Sequence, residues 1–385
     1  LTPTLHSVEE TNLIIHICNI IHKTARYLSG KYSSRYSKVE KSLLNLVYTH
    51  GSQVMSRALA ALCNTIKHIT NNQALVLKLI KNCFALISSQ SRVQVLEEPK
   101  IPSLKRAMLI LSLTVKYYDV NIYLNFQLVP SKSFQDSLFE VFKNYYQITP
   151  LKEVALESLS YLWVRFPQLL LKSEFLVRNA WKETKETSAK LQLLGIFQEF
   201  LEHCDTQLVQ SSEDFGNILG AMQSYIHYIM DLTKDPDTAV REITAEVLKL
   251  VQTQGQVNPN LLIPKLIAQL ADTSLYVREV AFSCLENIHN KNSDLIIVGL
   301  SGALYEMYDF QLRILKGTKT AFEESLLGRL YGLIKQKKSQ RNKFLNCVCR
   351  LLEPSADPGF TCFVAELLSG LQYTSHEELS IVLNY

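Results

Sequence analysis

The same acid and the same base stand twice in this chain, each time just ahead of an apolar helical stripe. Residues 232–251 read "LTKDPDTAVREITAEVLKLV" and residues 270–288 read "LADTSLYVREVAFSCLENI". Asp235 leads Arg241 by six positions, and Asp272 leads Arg278 by the same six. A Val precedes each Arg. The apolar positions that follow are Ile243, Val247, Leu248 and Val251 in the first copy, and Val280, Ala281, Cys284, Leu285 and Ile288 in the second. Both sets keep the three-and-four spacing of one helix face. The two arginines stand 37 positions apart, close to the ~40–47-residue period of helix-pair repeats such as HEAT and armadillo.

A third copy opens at "LKEVALESLSYLWVRFPQLL", where Lys152 replaces the Arg and Tyr146 stands where an acid is expected. A helix pair cannot bury its own apolar face, so it stacks on the next pair. An Asp in the turn within one repeat and an Arg opening its second helix can bond across such a stack, because the guanidinium fork holds a carboxylate and loop carbonyls together. Asp235, Arg241, Asp272 and Arg278 are therefore expected to form a structural ladder and no catalytic group. The expected fold is all-α: a HEAT-repeat α-solenoid of stacked antiparallel helix pairs, curved or hook-like. It is expected to run through residues 1–385 as one array, with its clearest repeats at 149–180, 225–254 and 258–296.

Composition agrees. There are 13 Gly and 11 Pro in 385 residues, too few for the turns of an all-β chain, while 47% hydrophobic residues supply an ample core. Roughly 18 helices are expected. Thr149-Pro150, Asp235-Pro236 and Asn258-Pro259 read as capping residues followed by Pro at the first helical position, and Gly255 as a helix stop. "SHEEL" (375–379) reads as a helix start with acids in its first turn.

The eight cysteines lie mostly inside apolar runs, which suits buried thiols in a reducing compartment. Cys347 and Cys349 have no partner pair, so no zinc site is expected. "LIIHICNII" and "LIIVGLSGAL" fall short of the ~18 apolar residues of a membrane span, and no membrane association is expected. The chain opens on Leu and closes within an amphipathic run, and is read as a piece of a larger protein. "KGTKT" (316–320) lacks the first Gly of a phosphate loop, and no His-Glu-x-x-His, Gly-x-Ser-x-Gly or paired Cys-x-x-Cys occurs. No enzymatic activity and no cofactor are expected.

Two basic clusters carry the visible functional signal. "KQKKSQRNK" supplies Lys335, Lys337, Lys338, Arg341 and Lys343, with no acid in sequence between Glu324 and Glu353. It passes from apolar to basic and back, which predicts a turn between two helices anchored by Leu333 and Phe344. The second cluster, near the N-terminus, offers Lys23, Arg26, Lys31, Arg35, Lys38 and Lys41 against Glu40 alone, with tyrosines interleaved. Such clusters suit phosphate binding without sequence preference. Lys335, Lys337, Lys338, Arg341, Lys343, Lys31, Arg35 and Lys38 are the expected nucleic-acid contacts. The net charge of +4 excludes a histone-like polycation and nothing more local.

Residues 254–296 also resemble the C-terminal segment of the Nipped-B (adherin) family of cohesin-loading subunits. The resemblance is carried by Gln254-Gly255, Pro259, Pro264, Leu266-Ile267-Ala268, Asp272, Arg278, Ala281 and Leu285. It extends through residues 102–121, 164–181 and 338–354, covering most of the chain from about Met55. Asn258 departs from the His usual in animal members, and the loop near Cys204 is short, as in a compact, fungal-type version.

The resemblance implies a non-enzymatic, nuclear, chromatin-associated scaffold that promotes topological loading of cohesin. It implies contacts with the kleisin subunit, the SMC ATPase heads and double-stranded DNA, and stimulation of the heads' ATPase. It also implies a small tetratricopeptide partner, bound through an N-terminal region this chain lacks. Two other classes remain open on sequence: another HEAT scaffold, such as a nuclear transport receptor or a different cohesin or condensin subunit, and an enzyme assembled from distant residues.

Overall fold

The computed structural model describes residues 5–28, 33–90, 98–118, 133–203, 212–314, 326–352 and 357–385. Among them every element is helical. In order they are α1 (Leu5–Thr24), α2 (Ser33–Thr49), α3 (Ser52–Thr65), α4 (Gln73–Gln90), α5 (Ile101–Tyr117), α6 (Phe134–Tyr146), α7 (Lys152–Trp163), α8 (Gln168–Lys172), α9 (Glu174–Glu183) and α10 (Thr187–His203). Then follow α11 (Ser212–Asp231), α12 (Thr238–Thr253), α13 (Pro259–Gln269), α14 (Leu275–Lys291), α15 (Asp294–Arg313), α16 (Gly328–Ile334), α17 (Lys338–Cys349), α18 (Pro358–Ser369) and α19 (His376–Leu383). The expected all-α solenoid is the observed fold. No helix is long and apolar enough to cross a membrane.

The chain divides into two compact units, Leu1–Val177 and Arg178–Tyr385. In the first, α3 packs on α1, α2 and α5, and α5 packs in addition on α4 and α7. Surrounded in this way, α5 is buried at every residue from Ala107 to Lys116. A helix enclosed on all sides must satisfy its polar side chains locally. Ser112 and Thr114 do so by donating to the carbonyls of Met108 (2.9 Å) and Ile110 (2.6 Å) one turn back.

In the second unit there are two series of helices in which each packs on the helix two places along. α10, α12 and α14 follow one another in one layer, and α13, α15, α17 and α19 in the other. That is the stacking of successive helix pairs, each burying the apolar face its neighbour leaves open. The stripe of the second repeat is buried at Val280, Ala281, Cys284, Leu285 and Ile288. In the first repeat Val247, Leu248 and Val251 are buried, while Ile243 is only half-buried.

Capping separates the Pro signals. Asn258 caps α13 by accepting from the amide of Asn260 at 3.0 Å, and Gly255 ends the preceding helix with φ +68°. Asp235 does not cap α12; Asp237 does, accepting from the amides of Ala239 and Val240. Thr149-Pro150 opens a short 3-10 turn whose N-cap is Ile148, and α7 starts only at Lys152. In both corrected cases Pro sits inside a turn that the ladder residues need, so the helix starts late.

α15 runs through both of its glycines, and they differ. A Cβ on Gly299 would lie 2.7 Å from Ile263 Cγ2 of α13, whereas one on Gly302 meets nothing within 4 Å. Gly299 is the point where α13 and α15 approach closest to backbone contact. Gly299→Ala is expected to lower stability by about 1–3 kcal/mol through overpacking. Gly302→Ala is expected to raise it by about 0.5–1 kcal/mol, by removing backbone entropy from the unfolded chain. Urea unfolding midpoints of the two variants should move in opposite directions.

Candidate functional site

The ladder forms as a chain of bonds running from repeat to repeat. Arg241, at the start of α12, is 1% exposed. Its Nε donates to Asp272 Oδ2 at 2.6 Å and its Nη2 to Asp272 Oδ1 at 2.9 Å. Nη1 turns back to its own repeat and donates to the carbonyls of Asp235 (2.9 Å) and Pro236 (3.2 Å). One guanidinium thus closes its own turn and grips the turn of the next repeat. Asp272, fully buried, also accepts from the amide of Ser274 at 2.9 Å, which sets up Ser274 as the N-cap of α14.

The same geometry repeats on both sides. Arg278 Nη1 donates to the carbonyl of Asp272 at 2.7 Å. Asp235 Oδ1 accepts from the amide of Asp237. Its Oδ2 accepts from Lys190 Nζ, near the start of α10, at 2.6 Å. Lys190 is a rung that reading the sequence alone misses. Its signal is there: a base in the first turn of a helix, with the Asp of the next repeat's turn 45 positions on. At the third copy, Lys152 Nζ lies 5.0 Å from the ring centroid of Tyr146. Here a cation–π contact stands where Arg241 and Arg278 bond the carbonyls of their own turns.

The basic turn also forms where expected. α16 ends at Ile334, Lys335 to Lys337 make the turn, and α17 begins at Lys338. Phe344 is buried, and on the α16 side Leu330, Tyr331 and Ile334 fill the core in place of the half-buried Leu333. The expectation that no acid lies near is corrected. α19 brings Glu377 to 2.9 Å from Lys338 and 3.6 Å from Arg341, and Glu378 to 3.2 Å from Arg341. α15 brings Asp294 to 3.5 Å from Lys343. These acids are distant in sequence and arrive only through stacking.

The five bases accordingly play different parts. Arg341 is largely covered and held by two glutamates. Lys337, Lys338 and Lys343 are exposed, and Lys335 lies 5.9 Å from the Tyr331 ring centroid. Beside the turn, burial and then the charge of Lys337 lower the pKa of His289, so it stays neutral near pH 7.

Glu378 is a second feature hidden from the sequence. It is fully buried, yet burial, which pushes its pKa up, is outweighed by the bonds it accepts. These come from the Thr374 amide (2.8 Å), the Tyr331 hydroxyl (2.8 Å), the Ser375 hydroxyl (2.9 Å) and the Thr374 hydroxyl (3.0 Å). The net result is a carboxyl at about 2. The helix start at Ser375 with acids in its first turn was legible, whereas the reach of Glu378 to Tyr331 and Arg341 was not.

In the N-terminal cluster, Lys31 lies outside the described residues and Arg35 falls in the first turn of α2. Lys38, Lys41, Lys23 and Arg26 are exposed. Glu40 is buried and accepts from Thr70 and Asn72, so the single acid of this cluster faces away from solvent. Among the described residues no group of three His, Cys, Asp or Glu is placed to hold a metal ion.

Helix pairs joined by buried Asp–Arg rungs define an α-solenoid scaffold of the HEAT type. Residues 219–385 match the family model described as "Sister chromatid cohesion C-terminus". The whole chain is similar to human Nipped-B-like protein, 20% identical over 426 residues that take up 15% of that protein, and the mouse protein matches equally. The solved structure "Chaetomium thermophilum cohesin loader SCC2, C-terminal fragment" superposes with TM-score 0.84 at 17% identity, covering 96% of this chain and 30% of that one. The chain is thus similar to the sister chromatid cohesion C-terminus family over residues 219–385 and to Nipped-B-like proteins along its length. It spans about 15% of the length of the curated relatives it matches.

Two outcomes follow from this geometry. Arg241→Ala strands a buried carboxylate and is expected to cost about 3–5 kcal/mol, against about 1–3 kcal/mol for the less buried Arg278→Ala; urea unfolding measures both. Glu378 has a depressed pKa, so its stabilisation is complete above the ordinary carboxylate range and is lost as pH falls toward about 2. Glu378→Gln should flatten the acid limb of the stability–pH curve over that window.

Proposed function

We propose that this chain is a non-enzymatic scaffold of a cohesin loader, acting in the nucleus on chromatin to promote topological loading of cohesin. The observation that carries this reading is the sister chromatid cohesion match over residues 219–385. That span contains both the buried rung between Arg241 and Asp272 and the basic turn at Lys335 to Lys338. In this reading the ladder keeps the solenoid rigid, and the exposed surface supplies binding sites. The partners are the kleisin subunit, the SMC ATPase heads, whose hydrolysis the loader raises without hydrolysing nucleotide itself, and double-stranded DNA. The small tetratricopeptide partner would bind elsewhere in the full-length loader.

For DNA the proposed contacts are Lys335, Lys337 and Lys338 on the turn, with Lys343 beside them and Lys31, Arg35 and Lys38 as a second patch. Arg341 has the supporting part of fixing α17 against α19. Glu377 does not disqualify Lys338: the pair is exposed, and exposed ion pairs contribute only about 0–1 kcal/mol. A phosphate can therefore replace the carboxylate. Six bases from Lys335 to Arg350 still outnumber the acids that reach them.

The triple reversal Lys335→Glu, Lys337→Glu, Lys338→Glu tests this directly. Duplex affinity should fall and its salt dependence flatten, by nearly one unit of slope for each phosphate no longer neutralised. Helix content by circular dichroism should be unchanged. Separate pull-downs of the chain with kleisin, heads and duplex, together with cohesin ATPase assays using the full-length loader, test the wider assignment. Unchanged duplex binding in the triple variant would remove DNA from this turn, and no retention of any cohesin component would remove the loader reading.

A further inference from the structure

A groove of about 720 Å³ lies between α15 and α17, on the side of the basic cluster away from its turn. Its lining has three chemical parts. Ile297, Cys347 and Leu351 make an apolar floor, Ser301, Ser339, Asn342 and Asn346 supply neutral hydrogen-bonding groups, and Lys343 and Arg350 supply positive charge. Val298, on the α15 rim, is 76% exposed. The lining residues recur at three- and four-residue steps from Ser339 to Cys347 on α17 and on to Arg350 at its C-cap, so one helix face walls the groove. Among the described residues two acids reach this wall: Asp294, 3.5 Å from Lys343, and Glu377, which accepts from Asn342 Nδ2 at 3.1 Å.

We propose that this groove is a docking site for a short, extended acidic peptide segment of a partner protein. The proposal stands on the groove's chemistry and is independent of the loader assignment. Charge complementarity selects the occupant: two bases frame the wall, and no ion pair among the described residues covers Arg350. Lys343 on α17 and Arg350, the residue that caps its C-terminus, are seven positions apart, about 10 Å along the helix axis. A polyproline-II-like segment rises about 3.1 Å per residue with three residues per turn. Acids at i and i+3 of such a peptide therefore face the same way at about 9 Å, matching the two bases.

Every peptide residue also brings a backbone donor and acceptor that need partners, which the Ser and Asn side chains provide. An apolar side chain between the acids would cover Ile297, Cys347 and Leu351. A phosphodiester backbone has nothing to place on that floor, so a duplex is the weaker occupant.

The test is selection of a displayed random heptapeptide library on the whole chain, with a 20-base-pair duplex measured in parallel. Peptides carrying Asp or Glu at i and i+3 around an apolar residue should be enriched. The best synthetic peptide should lose at least tenfold in affinity for the double variant Lys343→Glu, Arg350→Glu. Ser301→Trp fills the groove without changing charge and should abolish peptide binding while leaving duplex affinity intact. Circular dichroism and the urea midpoint of each variant confirm folding, and the exposed Arg350→Glu single variant, at a base outside the proposed duplex contacts, serves where Ser301→Trp fails to fold. Enrichment without acids, or binding indifferent to these variants, would overturn the proposal. Loss of duplex with retention of peptide would assign the groove to nucleic acid.

Discussion

Everything in the second unit hangs on one guanidinium. Arg241 is fully buried, and its cost of desolvation is met only because every face of the fork has an acceptor: a carboxylate from the next repeat and two carbonyls from its own. A buried ion pair is seldom favourable against a well-packed apolar substitute. Its value here is positional. Apolar helix faces slide over one another with little penalty, whereas a bidentate pair has a single register. The pair fixes where α13 and α14 sit against α11 and α12, and so fixes which side chains arrive beside one another further along the stack.

The basic turn shows what that register does. On the linear chain, Lys335 to Lys343 form an uninterrupted positive run. Stacking brings α19 and α15 alongside, and Glu377, Glu378 and Asp294 come with them. The run is thereby sorted: Arg341 becomes part of the scaffold, and Lys335, Lys337 and Lys338 remain at the turn. Lys343 and Arg350 face a groove of different chemistry. Local charge on a solenoid is a property of neighbouring repeats as much as of the segment that carries it.

How much was readable in advance follows the same division. The helices, the apolar stripe after Arg278 and the Asp–Arg spacing were legible because each depends on residues within one repeat. The Asn258 cap and the Gly255 stop were legible for the same reason. The acids that meet the basic cluster were not, since Glu377 lies 39 positions from Lys338 and nothing local links them. Asp235 misled because Asp-Pro is a good helix start in isolation, while here the Asp is taken by Lys190 and the cap passes to Asp237. The Lys152–Tyr146 contact shows that the bond within a repeat can change chemistry and keep its place. A search for the acid alone overlooks it.

That the Asp–Arg pair is a coupling between repeats, and not two residues that happen to be buried, is open to direct measurement. A double-mutant cycle of Arg241→Met and Asp272→Asn, read by urea unfolding, isolates the pairwise term. The expected result is strong non-additivity, with the double variant closer to the parent than the sum of the two singles and a coupling of about 2–3 kcal/mol. Additive losses, with no coupling beyond about 0.5 kcal/mol, would contradict the ladder as the element that sets the register of this fold.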